Sequence, residues 1–508
     1  MFSGYMCGES ESTSKVRHVM RDTSAPSFPQ GETIRELVLT GFTHDGRCVA
    51  RREGEAVVFV RGGLPGQRVL ARLDSENPKK GGRFLEADLV SVLDSVPDDM
   101  GGERPAPCPH AAECGGCPWQ TMPYAGQLVW KERLLADALA RIGRLRIPTP
   151  LFRPIIPSVK EWGYRNKMEF AFASDVEKGL VLGLRRRNSR DVVEVPSCML
   201  AAPRMMHAYD ALREEARHAG LKAWNGKQGL LRHAVLREAG GLLLVELICA
   251  PATKEEQSKI RLIGEKLLSS GLADGFVHSE RRARADIAYG ERTLHRAGKT
   301  FLTETLNLPH DNTLRLRLGH DSFFQVNTDT AARLYGEALL MALEFSVGME
   351  DSSPQLHKKN NLHTCWDVYC GVGGLALTMA PYFDRVLGLE SVAPAVELAR
   401  KNANELTHVR FECADAARLG EYFRRFGTPD LLVCDPPRAG MDEKTTQAIL
   451  RARPEHLILV SCNPATLARD LARLNEGGAY DIQVIRPVDM FPQTPHVECI
   501  VSLRAGGI

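Results

Sequence analysis

The chain lacks a long apolar run. Nothing in it approaches the roughly 18 residues that a membrane-spanning helix needs, and the first thirty residues contain no apolar signal core. We therefore expect a cytoplasmic protein with no membrane partner. A surplus of charge is lacking as well: 65 Lys and Arg against 63 Asp and Glu leave a net +2. That excludes a global field for nucleic acid, so any such binding must come from local basic patches. An even cysteine framework is also missing, because the thirteen cysteines are odd in number and several fall in predicted core strands. Such usage fits metal-binding and reactive thiols in a reducing compartment, not a disulfide scaffold. There is no internal repeat. What remains is an ordinary globular composition over 508 residues, enough for about three domains.

The stretch that organises the rest is His456-Leu-Ile-Leu-Val-Ser-Cys462-Asn-Pro-Ala-Thr466. Its apolar run suits a strand buried on both faces of a parallel sheet. Asn463 is a good N-cap and Pro464 suits a first helical turn, so a helix should follow. Cys462 then lies at the carboxyl end of a buried strand and just before a helix N-terminus. Open α/β sheets bind ligands there, and the helix dipole would favour a thiolate. The bland reading is a buried structural cysteine, and the neighbouring motifs decide against it.

Residues 1–30 read as a disordered tail, rich in Ser, Thr, Pro and charge. From Glu32 short strands alternate with glycine turns, giving a small β-barrel that ends near Ser95. Such barrels bind single-stranded nucleic acid or merely pack on a neighbour. A Pro-rich linker leads to Cys108, Cys114 and Cys117, spaced C-x5-C-x2-C. Three sulfurs this close converge on one point, and Cys198 is the best candidate for a fourth. Zinc is chemically possible. The unequal spacing lacks the paired knuckles of a zinc ribbon, and it is not the C-x3-C-x2-C of radical enzymes, so an iron–sulfur cluster fits better. Tyr124 to Ile142 has helical periodicity at Leu128, Lys131, Leu135, Leu139 and Ile142.

Residues 151–315 read as mixed α+β, with helices expected at 201–219 and 254–270. Basic clusters at Tyr164-Arg-Asn-Lys, Arg185-Arg-Arg-Asn-Ser-Arg and Arg281-Arg-Ala-Arg are each either a solvated face or part of a phosphate-tracking surface. From Thr364 strand and helix alternate as in a doubly wound, Rossmann-like α/β domain, and the last two strands, lacking a helix between them, suggest an antiparallel edge. The polar stretch 348–363 should be an exposed loop. The expected layout is thus a tail at 1–30, a barrel at 31–95, a central α+β domain at 96–315 and an α/β domain at 316–508, on which the helix within 121–145 could pack.

Asp367-Val-Tyr-Cys-Gly-Val-Gly-Gly374 follows a predicted strand and opens a helix, and Glu390 ends the next strand, where it could accept ribose hydroxyls. The run is not the full G-x-G-x-x-G of dinucleotide sites, and its lead-in points to S-adenosylmethionine. Asp415 ends the third strand. Asp435-Pro-Pro-Arg438 ends the fourth, where its carboxylate either caps a turn or fixes a ligand.

With Ser322-Phe-Phe-Gln325-Val-Asn, Ser461-Cys-Asn-Pro-Ala-Thr and Phe491-Pro-Gln-Thr-Pro-His-Val-Glu498, these motifs closely resemble the RNA uracil-C5 methyltransferases. The resemblance is to the iron–sulfur branch that bears a TRAM barrel and acts on 23S ribosomal RNA, and it covers nearly everything from Glu32 onward. It implies a class I methyltransferase domain, a [4Fe-4S] cluster on Cys108, Cys114, Cys117 and Cys198, and a monomer acting on 23S rRNA, not on DNA. It also implies Cys462 as nucleophile and Glu498 as base, with Gln325, Tyr369, Gly374, Glu390, Asp415 and Asp435 around the cofactor. Gly374 departs from the family, where that position is often polar, which leaves only its backbone for contact.

The chemistry agrees with that implication. C5 of uracil is a poor nucleophile until a thiolate adds to C6, and a base must later remove the C5 proton. The base must leave the RNA stack, and an aromatic such as Phe323 could stack on it. Nothing in the scheme needs an electron, so a cluster would be a structural clamp. The rivals are a transfer RNA uracil-C5 methyltransferase, a cytosine-C5 methyltransferase, and an iron–sulfur RNA-binding or electron-transfer protein without methyl transfer.

Overall fold

A computed structural model describes residues 33–51, 56–75, 84–96, 102–345 and 362–507. The expected tail at 1–30 and nearly all of the expected loop at 348–363 lie outside them. The first unit is a closed five-stranded barrel in the order β1-β2-β3-β5-β4: β1 (Ile34–Phe42), β2 (Cys48–Ala50), β3 (Val57–Arg61), β4 (Arg68–Leu73) and β5 (Phe84–Asp94). Alternate residues such as Leu37, Leu39, Val58, Val60, Val69 and Ala71 point inward and are buried. Trp119, Met122 and Leu134 close this core from below. Leu134 belongs to helix α1 (Tyr124–Arg141), whose Leu135, Ala138 and Leu139 pack into the core of the last domain.

The central unit is a seven-stranded sheet: β6 (Lys167–Asp175), β7 (Gly179–Arg185), β8 (Val192–Glu194), β9 (Leu231–Ala239), β10 (Leu242–Cys249), β11 (Gly275–Glu280) and β12 (Arg292–Gly298). Helices α2 (Pro203–His218) and α3 (Lys254–Ser269) cover one face, and α3 opens with a capping box between Thr253 and Glu256. A hairpin, β13 (Leu302–Asn307) and β14 (Thr313–Leu318), leads to α4 (Thr328–Glu344), capped by Asn327.

The last unit is doubly wound. Strands β15 (Thr364–Val368), β16 (Arg385–Glu390), β17 (Val409–Cys413), β18 (Leu431–Cys434), β19 (His456–Ser461), β20 (Tyr480–Val488) and β21 (Glu498–Ala505) lie in the order β17-β16-β15-β18-β19-β21-β20. Helices α4, α5 (Gly374–Met379) and α6 (Ala393–Ala403) cover one face. The other carries α1, α7 (Leu419–Phe426), α8 (Glu443–Ala452) and α9 (Pro464–Asn475). The expected antiparallel edge is present, formed by the last two strands. β21 is antiparallel to β19 and to β20 and lies between them, so the edge strand β20 runs with the parallel set. The crossover through α9 carries β20 one place too far, and the chain's final strand fills the gap. Among the described residues no helix is long and apolar enough to cross a membrane.

Candidate active site at the sheet edge

Parallel strands deliver their carboxyl ends to one edge, and an antiparallel strand delivers its amino end to the same edge. β15, β16, β17, β18 and β19 thus present Tyr369, Glu390, Asp415, Asp435 and Cys462 together, while β21 begins there with Glu498. The register pairs Ser461 with Cys499, which seats Glu498 beside Cys462 although they are far apart in sequence. The strand order reverses between β15 and β18, the place where doubly wound sheets open a crevice.

The expected cofactor residues surround this crevice. Tyr369 follows β15 with φ +70°, uncommon for a residue other than glycine. Glu390 accepts from the amides of Gly371 at 3.1 Å and Val392 at 2.8 Å, which ties the glycine turn to the second strand. Asp415 accepts from the Ala417 amide at 2.8 Å and is exposed. Gln325 is buried in the loop before α4, where its carbonyl accepts from Asn166 at 2.9 Å. Gly374 opens α5. A side chain there would collide with Tyr335, because a Cβ would lie 2.6 Å from the hydroxyl oxygen.

The edge is acidic. Glu498 is 2 % exposed and has a buried oxygen with no partner. Burial, with Asp435 nearby, pushes its carboxyl up to about 8, opposed by Arg438. Burial raises Asp435 to about 7. Asp367, 1 % exposed, accepts the Ala376 amide at 2.8 Å through one oxygen, leaves the other unpartnered, and is pushed well above the ordinary carboxylate range by burial. The α9 dipole, expected to favour a thiolate at Cys462, is opposed by the surroundings of the sulfur. Burial, then Glu498 and Asp435, push this thiol up to about 12, with Arg438 opposing. The helix-end donor is taken by Asn463, whose side chain accepts from Ala465 at 3.0 Å.

Cys108, Cys114, Cys117 and Cys198 line one small cavity of about 30 Å³ with Leu184, Val195 and Met199. Among the described residues no three His, Cys, Asp or Glu side chains have the geometry to hold a single metal ion. The thiols are close enough to raise one another, and backbone amides donate to two sulfurs, Gly116 to Cys114 at 3.4 Å and others to Cys198. Two of the basic clusters are largely structural. Arg186 pairs with Glu113 at 2.7 Å and Arg187 donates to the Ala111 carbonyl at 2.9 Å, which docks the cysteine loop, while Arg185 pairs with Asp286 in the loop after β11. Arg281 is buried and donates to carbonyls of its own loop. Arg165, Lys167, Arg185 and Arg186 nonetheless border a groove of about 540 Å³. Phe323 is 71 % exposed in the loop that carries Gln325.

Sequence reasoning missed the clamp on the segment before Glu498. Lys131, fully buried in α1, pairs with Asp489 and donates to the Phe491 carbonyl at 2.9 Å. Gln127 exchanges two hydrogen bonds with Gln493, at 2.8 and 2.9 Å. Tyr164 donates to Pro492 at 3.0 Å and Asn327 to Met490 at 3.2 Å. Trp119, two residues after Cys117, donates its amide to Gln493 at 3.1 Å, which links the cysteine loop to the same segment. A lysine within an apolar helical stripe was the available signal.

The sequence pattern of the tRNA (uracil-5-)-methyltransferase family matches residues 287–505. An RNA methyltransferase of Nitratidesulfovibrio vulgaris is 38 % identical over 487 residues, covering 94 % of this chain and 97 % of its own length. Another, from Halalkalibacterium halodurans, is 31 % identical over 478 residues, covering 93 % and 97 %. The Pyrococcus abyssi tRNA (uracil-54, C5)-methyltransferase, solved with S-adenosyl-L-homocysteine, superposes with a TM-score of 0.67 at 24 % identity, over 92 % of this chain and 100 % of that one. That last likeness is one of fold.

Proposed function

The chain belongs to the tRNA (uracil-5-)-methyltransferase family of RNA methyltransferases, and we infer that Cys462 and Glu498 divide its chemistry as nucleophile and base on a uridine of 23S ribosomal RNA. The activity that membership carries is S-adenosylmethionine-dependent methylation of uracil C5 in RNA. The observation behind the division of labour is the β19–β21 register, which brings a buried carboxyl to a strand-end cysteine.

S-adenosylmethionine supplies an electrophilic methyl group when bound. Gln325, Tyr369, Gly374, Glu390, Asp415 and Asp435 are the residues that would hold it, and an edge with the buried carboxyls of Asp367 and Glu498 and the half-buried one of Asp435 suits a cationic ligand. On the RNA side, Phe323 stacks on the unstacked target base. Cys462 gives its proton to solvent and its sulfur bonds to C6 as the C5–C6 π pair shifts toward O4, which leaves the ring as an enolate with a nucleophilic C5. Because its thiol is held high by burial and by carboxyls, Cys462 ionises only once positive charge enters the site, and Arg438 is the resident cation. After C5 is methylated, Glu498 takes the C5 proton, the ring electrons return, and the C6–S bond breaks. A base raised to about 8 is well matched to that task near neutral pH.

The choice of 23S rRNA rests on the five-stranded barrel together with four cysteines around one cavity. The donor set, four thiols around one cavity, suits a [4Fe-4S] cluster. Its role is to fasten Cys198 to the 108–117 loop. RNA from a strain lacking this protein should take up labelled methyl groups as 5-methyluridine in the 23S fraction, and anaerobically purified protein should carry iron and sulfide. Label confined to tRNA would replace the substrate, and stoichiometric zinc without sulfide would replace the cluster.

A further inference from the structure

Tyr335 lies in α4, outside every motif that marks the active site. It is 7 % exposed, and its ring rests against Gly374, where a Cβ would lie 2.9 Å from two ring carbons and 2.6 Å from the hydroxyl oxygen. The hydroxyl therefore occupies the space that a side chain at position 374 would fill. The groups that act on it, besides burial, are Asp435, Asp367 and Glu498; all are acidic, and no hydrogen bond ties it to any of the three. Asp367 and Glu498 each keep a buried oxygen without a partner. A hydroxyl wedged against Gly374, within electrostatic reach of three carboxyls and hydrogen-bonded to none of them, is placed to meet a ligand. Packing alone would be served as well by phenylalanine, which fills the same volume without a polar atom to satisfy.

We propose that Tyr335 is a positioning residue of the cofactor pocket, whose hydroxyl reaches past Gly374 to give the sulfonium and amino-acid end of S-adenosylmethionine its polar contact on that side. A cation there would be flanked by Asp367, Asp435 and Glu498 and oriented by a donor–acceptor that cannot itself ionise. The proposal rests on the reading of this edge as the cofactor site. Gly374 is then not simply a loss of side-chain function. The hydroxyl at this place comes from α4, and the glycine at 374 is what admits it.

The test is equilibrium binding of S-adenosylmethionine and S-adenosylhomocysteine to the full-length protein without RNA, followed by steady-state kinetics. Failure of the unaltered protein to bind either compound would sink the cofactor-site reading itself. Given binding, Tyr335→Phe should weaken affinity for S-adenosylmethionine about tenfold, the usual cost of one lost hydrogen bond in a buried site, and raise its KM alike. The KM for RNA should not change. Gly374→Ser alone should be worse, since its Cβ collides with Tyr335. Gly374→Ser combined with Tyr335→Leu clears the space, returns a hydroxyl from the α5 side, and should recover most of the affinity. Unchanged cofactor affinity in Tyr335→Phe, or a double variant no better than Gly374→Ser, would overturn the proposal.

Discussion

Two sets of buried charge lie at opposite ends of the segment 489–498. At its start Asp489 meets the ammonium of Lys131, which also donates to the Phe491 carbonyl. At its end Glu498 meets the carboxyl of Asp435, with Arg438 as the opposing cation, while Asp367 meets the carboxyls of Asp435 and Glu390. Burying a charge is costly, and the first site offsets the cost with a partner already in the chain. The second leaves it uncompensated and raises its carboxyls instead. The paired site serves architecture: it anchors the segment to α1 and, through Gln127 and Trp119, to the cysteine loop. The unpaired one is poised for a positive ligand and for proton transfer, as strongly perturbed groups in clefts often are.

The largest effect expected from breaking this contrast is on turnover. Cys462→Ala should abolish methyl transfer and any covalent adduct, because Cys462 is the thiol that the β19–β21 register seats beside Glu498. Glu498→Gln retains shape and hydrogen-bonding reach but cannot accept a proton. It should still add and methylate, then stall as protein joined to RNA, visible on a denaturing gel with methyl-labelled cofactor. Normal turnover in Glu498→Gln would move the base elsewhere, and an adduct surviving in Cys462→Ala would remove the nucleophile.

Next in size is the paired site. Lys131→Met leaves Asp489 buried without a cation and should cost about 3–5 kcal/mol of stability. Adding Asp489→Leu removes the stranded charge and should restore much of that loss, as denaturant unfolding would reveal. If the double variant is no more stable than Lys131→Met, the pair is held by packing and not by charge compensation.

The sequence carried the architecture of the last domain well for a physical reason. Strands such as Leu431–Cys434 and His456–Ser461 are buried on both faces and read as unbroken apolar runs. The place of β21 was not legible, because sheet order depends on which edge remains open after a crossover and not on any local pattern. Lys131 stood in plain view within the apolar stripe of α1, yet its partner lies hundreds of residues away. For Arg185 to Arg187 the sequence left a solvated face and a phosphate surface open, because it cannot say that Arg187 meets the Ala111 carbonyl or that Arg186 meets Glu113. Tyr335 gave no signal at all. A tyrosine on an amphipathic helix is ordinary, and only the missing side chain of Gly374 gives its hydroxyl a place.

The smallest effect is also the most direct measure of uncompensated charge. The Glu498 carboxyl ionises near 4.5 in the unfolded chain and at about 8 in the folded one. Below pH 4.5 it is protonated in both states and costs nothing. Between those values the unfolded state ionises and the folded state does not, so stability falls as pH rises, and above about 8 the loss levels off. Gln at this position carries no such penalty. Glu498→Gln should therefore match the unaltered protein near pH 4.5 and grow steadily more stable by comparison up to about pH 8. The gain should be on the order of 1–3 kcal/mol, below the full conversion of the shift because the amide must also be accommodated. A difference in melting temperature followed across that window measures it without RNA or cofactor. A flat difference would mean that Glu498 ionises normally in the fold, and that the edge is compensated after all. Adding S-adenosylmethionine to the unaltered protein should shrink the pH-dependent part of the difference, since a bound cation does for Glu498 what Lys131 does for Asp489.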